Sequence, residues 1–295
     1  MLNKGSVVVY TVSGGHEKHG VSLGACLFYP VLTITTEHHH KEADTAIILT
    51  DDTGMVLSMK PEKGEVKTII GELKDECADQ LHQQTLRYLK RGDLVDYSWG
   101  EENRKGLIVQ NDIGNRNSPT IIVADLVKDD EEGIVKLQEG FLHLGRIRTI
   151  AKERVLKTIG RITEEETELV DEALRREFSF QQAQLVNVDL GGDFVGSEQG
   201  GRRPAVVLKE YSDSFIVAIV TSKMKRKLPT HVIYDAGDGG LLRKSNCSLE
   251  QIKRVSKKKV TCFHQYSPPE KIPMLQKAWN ISVGLDVSNQ RYVKS

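Results

Sequence analysis

The sequence predicts a mainly β chain with helical closures, built as three tandem β-barrel-plus-helix units at residues 1–90, 91–180 and 181–295. Three observations predict it. The length of 295 residues exceeds one ordinary domain. Short β-branched runs bounded by turn residues recur along the chain. A segment that leads into a helix returns at intervals of about ninety residues.

The units open on "KGSVVVYTV" at Lys4, "RGDLVDYSW" at Arg91 and "QAQLVNVDL" at Gln182, spaced 87 and 91 residues apart. Inside them "GLIVQN", "PTIIVADLV", "AVVLKE" and "SFIVAIVTS" read as strands. Each unit then closes on a helix. "EVKTIIGELKDECADQLHQQTLRYL" (Glu65–Leu89) matches "VLKTIGRITEEETELVDEALRREF" (Val155–Phe178), and the first helix is expected over Val66–Leu89. In the second, Thr163 and Glu166 form a capping-box pattern, with Leu169, Val170, Ala173, Leu174 and Phe178 at helical spacing. The third, "KIPMLQKAWNISVGL" (Lys271–Leu285), sets Met274, Leu275, Ala278, Trp279 and Ile281 on its apolar face.

A hydrophobic content of 39% and a charged content of 28% fit a soluble globular protein. The longest apolar run, near Cys26–Ile34, is too short to span a bilayer. The start "MLNKGSVVVYTV" lacks the long apolar core of a signal peptide, so a cytoplasmic protein is expected. Cys26, Cys77, Cys247 and Cys262 form no C-x-x-C pair and read as reduced thiols. The net charge of zero hides an asymmetry. Residues 1–90 carry 9 basic against 12 acidic side chains, and residues 91–180 carry 14 against 19. Residues 181–267 carry 14 against 8, so one basic unit follows two acidic ones. A basic β unit points to a polyanionic ligand, with a merely solvated surface as the alternative.

The stretch "FVGSEQGGRRPAVVLKE" (Phe194–Glu210) carries the most chemistry. Gly200 and Gly201 free the backbone to approach an anion, and Pro204 fixes the chain where the strand begins. "VGSEQGGRRPAVVL" (Val195–Leu208), "AIVTSK" (Ala218–Lys223), "KLPTHVIY" (Lys227–Tyr234) and "SLEQIKRVSKKKV" (Ser248–Val260) follow in order. In that order they resemble the MazF/PemK toxins, the endoribonuclease halves of bacterial toxin–antitoxin pairs. Unit two resembles the same family through "RGDLVDY", "LIVQNDIGNRNSPTIIVADLV", "GRIRTIAKERVLKTIGRI" and "VDEAL". Unit one is more distant, with "KGSVVVY", "YPVLTITTE" and the predicted helix in register.

The resemblance implies that each unit is a small SH3-like barrel closed by a helix. It implies metal-independent, cofactor-free cleavage of single-stranded RNA by attack of a ribose 2′-hydroxyl on the adjacent phosphate. The products would be 2′,3′-cyclic phosphate and 5′-hydroxyl ends. Carried over by motif, Arg203 and Thr221 are the catalytic residues. Ser197, Glu198, Gln199, Gly200, Gly201, Arg202, Ser222 and Lys223 are expected to contact RNA. A guanidinium fork can hold two phosphate oxygens at once without losing its proton. A β-branched hydroxyl at a strand end can donate to a third. The bland alternatives stay open: Arg203 paired with Glu198 inside its own loop, and Thr221 as an ordinary strand residue. His231 reads as a structural strand-edge histidine, with acid–base work as its alternative. His38–His40 reads as a solvated loop rather than a metal site, since consecutive residues of an extended chain alternate sides.

Unit two departs from the pattern. Its loop is the short, acidic "GEENRKGL" (Gly100–Leu107), with Lys105 near the arginine position and Val127 in the threonine position. It is therefore expected to be catalytically dead. It keeps "QNDIGNRNSPT", and Gln110, Asn111 and Asn115 are expected to line the RNA groove from that side, whereas unit three shortens the stretch to "KEYSDS". Residues 91–180 and 181–295 are expected to pack as an intramolecular pseudo-dimer with one live site. A MazE-like antitoxin is a possible partner, and residues 1–90 read either as a docking scaffold or as a cis-inhibitor. Competing readings are a non-catalytic RNA- or antitoxin-binding module and a CcdB-like poison of a protein target.

Overall fold

A computed structural model of the chain describes the backbone of seven strands between residues 6 and 73, and residues 89–128, 134–192, 194–223 and 228–286. The chain divides into two compact units, 1–89 with 156–160, and 90–155 with 161–295. The second and third sequence repeats thus form one compact body rather than two.

The N-terminal strands are β1 (Ser6–Thr11), β2 (Glu17–Gly24), β3 (Leu27–Pro30), β4 (Thr33–Thr36), β5 (Glu42–Ile47), β6 (Glu62–Lys63) and β7 (Glu65–Leu73). They form one sheet in the order β4-β5-β7-β1-β2-β3-β6, with a parallel β5–β7 pair. The expected helix over Val66–Leu89 is corrected here, because its first part, through Leu73, is strand. Val66, Ile69 and Ile70 suit a pleated ladder, and Gly71 pairs with Val7 within it. Residues 74–88, His38–His40, Cys26 and Cys77 lie outside the described residues.

The middle copy comprises β8 (Asp93–Trp99), β9 (Glu102–Ile108), α1 (Asp112–Asn117), β10 (Thr120–Val127), β11 (Ile134–Leu137), β12 (Gly140–Ala151), β13 (Val155–Arg161) and α2 (Glu164–Glu177). The C-terminal copy comprises β14 (Gln184–Asp189), β15 (Arg202–Glu210), β16 (Ser214–Thr221), β17 (His231–Tyr234), β18 (Ser245–Ser256), β19 (Val260–Tyr266) and α3 (Lys271–Ser282). Their sheets run β11-β12-β10-β9-β8-β13 and β17-β18-β16-β15-β14-β19. Counted from its own first strand, each sheet has the same order, so the two copies share one topology.

The helices follow their sequence signals. α2 starts on a full capping box: Thr163 accepts from the Glu166 amide, and Glu166 accepts from the Thr163 amide at 2.9 Å. Val170, Ala173, Leu174 and Phe178 are buried as expected, but Leu169 is half exposed. On α3, Leu275, Ala278, Trp279 and Ile281 are buried, whereas Met274 is exposed. Phe178 at the end of α2 packs on Trp279 of α3 with ring centroids 4.4 Å apart, so the two copies share part of their core. No helix among the described residues is long and apolar enough to cross a membrane.

Polar contacts also join the copies. Thr149 of β12 donates its hydroxyl to the Glu250 carbonyl at 2.9 Å and accepts from the Ile252 amide at 2.7 Å. Arg91 donates to the Val283 carbonyl at 2.7 Å, and Asn111 donates to the Ile281 carbonyl at 2.6 Å. These two middle-copy side chains thus help to cap the carbonyls at and just beyond the end of α3.

Candidate functional site

The strand register builds the site. On one side of β15, Val188 pairs with Arg203. On the other, Ala205 pairs with Ile219, and continuing that antiparallel register by two residues sets Arg203 opposite Thr221. Thr221 in turn pairs with Asn246, and Asn246 with Ile233. Directly opposed residues of antiparallel strands project to the same face. Arg203, Thr221 and Asn246 therefore form one row across three adjacent strands, at one end of the sheet. The row continues the face that carries Ala205, Val217 and Ile219 in the core.

The loop before Arg203 is closed at its base by two backbone hydrogen bonds, Gly201 amide to Gly191 carbonyl at 2.9 Å and Leu190 amide to Gly201 carbonyl at 3.1 Å. Gly201 has φ of 70°, a conformation that favours glycine. A Cβ on Gly200 would meet Phe194 at 2.1 Å, so no side chain fits there. Arg203 is half buried and donates from Nε to the Gly200 carbonyl at 3.0 Å. That bond fixes the guanidinium plane, and no carboxylate among the described residues pairs with it. Thr221 accepts from the Lys223 amide at 3.2 Å, which leaves its O–H free to donate.

Glu198 does not pair with Arg203. Its carboxylate is buried and accepts from Arg154 of the middle copy at 2.7 and 3.2 Å, and from the Ala151 amide at 2.7 Å. Lys253 lies 3.5 Å away. Burial works against the charge. The Arg154 hydrogen bonds, the Ala151 amide and Lys253 outweigh it, and the carboxyl is held below its usual range. Glu198 is thereby corrected from an RNA contact to an anchor, because a carboxylate buried against two cations presents nothing to a ligand. Arg154 and Lys253 also lie over Trp99, with Arg148, at 5.0, 5.4 and 4.7 Å from the ring centroid.

The other predicted contacts divide by exposure. Ser197, Gly201, Arg202, Ser222 and Lys223 are exposed around the row, and Gln199 and Gly200 are half buried beside it. Gln110 and Asn115 are corrected, being only 1% and 0% exposed. Gln110 donates to the Thr120 carbonyl and Asn115 to the Gln110 carbonyl, so both brace their own loop from inside. Asn111 is taken up by the end of α3 and by the N-cap of α1, where it accepts from the Gly114 amide. Their sequence gave no sign of this, because a polar loop reads alike whether it faces solvent or itself. His231 bridges the Leu228 amide and Glu250, at 3.3 and 2.6 Å, in a structural role.

The middle copy shows what the same place looks like when rebuilt. Its β8–β9 connection is two residues, Gly100 and Glu101, where the C-terminal copy inserts residues 190–201. Leu126 pairs with Lys105 and Asp125 with Gly106, so the register sets Arg104 opposite Val127. This corrects the placing of Lys105 near the arginine position: Arg104 occupies it, and Lys105 points to the other face. Arg104 is not free. It pairs with Asp125 at 3.0 Å and Glu102 at 2.9 Å. Asp125 also holds Arg148 at 2.9 Å and accepts from the Tyr97 hydroxyl, which burial keeps protonated. Carboxylates already sit where a phosphate would need to bind.

Comparison with known proteins agrees with this duplication. The family described as the PemK-like, MazF-like toxin of type II toxin–antitoxin systems matches twice, at residues 90–178 and 181–282. Endoribonuclease EndoA of Bacillus subtilis (strain 168) is 39% identical over 97 residues, 31% of this chain and 84% of that protein. Among solved structures, a mycobacterial endoribonuclease in complex with its cognate antitoxin is 20% identical, covering 30% of this chain and 92% of its own, with a TM-score of 0.29. The Mycobacterium tuberculosis toxin MazF-mt6 is 22% identical, covering 34% and 98%, with a TM-score of 0.29. With two matches that together span more than half of its length, the chain belongs to the PemK-like, MazF-like toxin family.

Proposed function

We propose that the chain is an endoribonuclease that cleaves single-stranded RNA at one reaction centre, formed by Arg203 and Thr221 of its C-terminal copy. The observation that carries this reading is the row itself: a guanidinium with no carboxylate partner among the described residues faces a donor hydroxyl across the sheet, while its counterpart Arg104 is neutralised. The 2′-oxygen of one nucleotide bonds to its own 3′-phosphorus and gives up its proton. The bond from phosphorus to the 5′-oxygen breaks, and that oxygen leaves with a proton. A cyclic phosphate and a 5′-hydroxyl result. Neither a guanidinium nor a threonine hydroxyl is an effective base near neutrality, so both act by stabilising charge on the phosphate oxygens. The reading needs no metal.

The inter-copy bonds of Thr149 and Glu198 support a pseudo-dimer, in which the middle copy serves as the partner subunit and steadies the loop around Arg203. Division into three family-like units, a cytoplasmic setting and a MazE-like antitoxin belong to the same proposal. Residues 1–89 support the threefold division only in part. Their strand order contains β6-β3-β2-β1-β7, the sequence also seen as β12-β10-β9-β8-β13, but adds β4 and β5 beyond β7.

One observation favours a second reading, a non-catalytic RNA- or antitoxin-binding module. The row Val260, Val188, Arg203, Thr221, Asn246 and Ile233 holds no titratable side chain besides the arginine to move a proton. Incubating the full chain with a long unstructured RNA in EDTA, then mapping ends, separates the two. New 5′-hydroxyl and cyclic phosphate ends that vanish in Arg203→Ala support the nuclease. Salt-sensitive binding without new ends supports the module.

A further inference from the structure

We propose that Asn246 is a specificity-determining residue of the RNA site, whose Oδ1 accepts a hydrogen bond from a base N–H of the nucleotide next to the bound phosphate. The inference rests on the reading of the Arg203–Thr221 row as an RNA site. Asn246 stands directly opposite Thr221 on β18 and is 4% exposed. Its Nδ2 donates to the Ser248 hydroxyl at 3.1 Å, while its Oδ1 is buried and has no partner among the described residues. Gln110 and Asn115 hold buried amide oxygens of the same kind, but only Asn246 stands in the Arg203–Thr221 row. A buried acceptor left without a donor is unfavourable, and native proteins rarely keep one without a use.

The middle copy supplies the contrast. There Val127 pairs with Phe141, so the position equivalent to Asn246 is apolar. The polar row Arg203–Thr221–Asn246 corresponds to Arg104–Val127–Phe141, and of the two rows only the one with the hydroxyl carries the amide. The spacing suits a nucleotide. Neighbouring strands lie about 4.8 Å apart. A phosphate held between Arg203 and Thr221 leaves Asn246 one strand further on, within reach of the attached nucleoside. One Nδ2 hydrogen is engaged by Ser248, and the Oδ1 left over selects for a donor on the base edge.

The test reads base preference in two ways on the full chain. A random-sequence single-stranded RNA library is partitioned on the protein in EDTA and the retained pool is sequenced. The bases flanking mapped cleavage ends are counted in parallel. Wild type should prefer a base at one position, and Asn246→Ala should flatten that preference by roughly three- to tenfold while RNA is still retained. Retained sequences that flatten in Asn246→Ala without any cleavage ends uphold the contact and sink the nuclease reading. Cleavage whose preference is unchanged in Asn246→Ala upholds the nuclease and overturns the contact. A wild-type pool without preference overturns it too. A matched library of 2′-deoxy strands covers the remaining donor: if Asn246→Ala loses only discrimination against deoxyribose, the partner is the 2′-hydroxyl and the base contact is wrong. Should Asn246→Ala unfold, Ser248→Ala frees Nδ2 and lets the amide turn. Its preference should then shift, and an unchanged preference overturns the proposal.

Discussion

Glu198, five residues before Arg203 in the same loop, is bound by Arg154 of the preceding copy at 2.7 and 3.2 Å. The loop that leads into Arg203 is thus positioned by a side chain from another repeat. Removing one member of a buried pair leaves the other charge uncompensated, which costs about 3–5 kcal/mol. Glu198→Ala should lower unfolding stability by that order, and Glu198→Gln by less, because an amide still accepts one of the bonds. Urea denaturation followed by tryptophan fluorescence checks this, since Trp99 lies against both Arg154 and Lys253.

The same carboxylate predicts acid sensitivity. Burial opposes its charge, but Arg154, the Ala151 amide and Lys253 prevail and its folded pKa is depressed. A group depressed in this way stabilises the fold above its unfolded pKa, here the ordinary 4.5, and that contribution drains away as pH falls through the folded value. The difference in stability between wild type and Glu198→Gln should be constant at pH 6–8 and shrink below about pH 4.5. Urea midpoints of both proteins across that range measure it, and a difference that grows on acidification contradicts the assignment.

Much of this was legible in the sequence, for reasons that differ by element. The α2 capping box and the buried stripe Val170–Leu174 follow from local spacing, which the chain itself carries. Arg203 and Thr221 are picked out by motif alone; their placement opposite each other comes from the β15–β16 register, which holds an irregularity between Val207 and Lys209 that no sequence spacing announces. The segment Glu65–Leu73 reads ambiguously because a short apolar, β-branched run fits a strand and a helix alike. The roles of Glu198, Gln110 and Asn111 were hidden for another reason. Their partners lie in other elements, Glu198 and Asn111 bonding residues 44 and 170 positions away, and no local pattern encodes such a pairing.

The middle copy predicts a separation of stability from activity. Asp125 is buried between Arg104, Arg148 and Tyr97, so Asp125→Ala leaves the buried Arg148 without its carboxylate, Arg104 keeping Glu102, and should cost about 3 kcal/mol. Cleavage by the surviving folded protein should match wild type if the proposed reaction centre in the other copy carries the chemistry. RNA cleavage assayed well below the melting temperature, beside denaturant curves, tests both halves. A large loss of activity in the folded variant would place chemistry in the middle copy.

Thr221→Val copies into the C-terminal copy what the middle copy already has at Val127. The two side chains are nearly isosteric, so the fold should be kept while the donor hydroxyl is lost. Cleavage should fall by about 10²–10³, the loss typical of one transition-state donor. Arg203→Lys keeps the charge without the fork and should also fall, though less than Arg203→Ala. Single-turnover rates on one RNA measure all three, and a Thr221→Val rate equal to wild type would leave the hydroxyl without a part in catalysis.

The seam at Thr149 predicts the assembly state of the two family copies. Its hydroxyl donates to the Glu250 carbonyl and accepts from the Ile252 amide, satisfying two backbone groups of the opposite copy. Phe178 on Trp279 adds an apolar contact, and Arg91 and Asn111 cap α3. These contacts join the two copies within one chain, as the proposed pseudo-dimer requires. A fragment of residues 91–295 should therefore sediment as a compact monomer. Thr149→Val, which leaves both backbone groups unsatisfied, should destabilise it by about 1–3 kcal/mol. Sedimentation equilibrium on the fragment decides the point. An obligate dimer would show that the seam fails to satisfy the interface, and the intramolecular pairing would have to be given up.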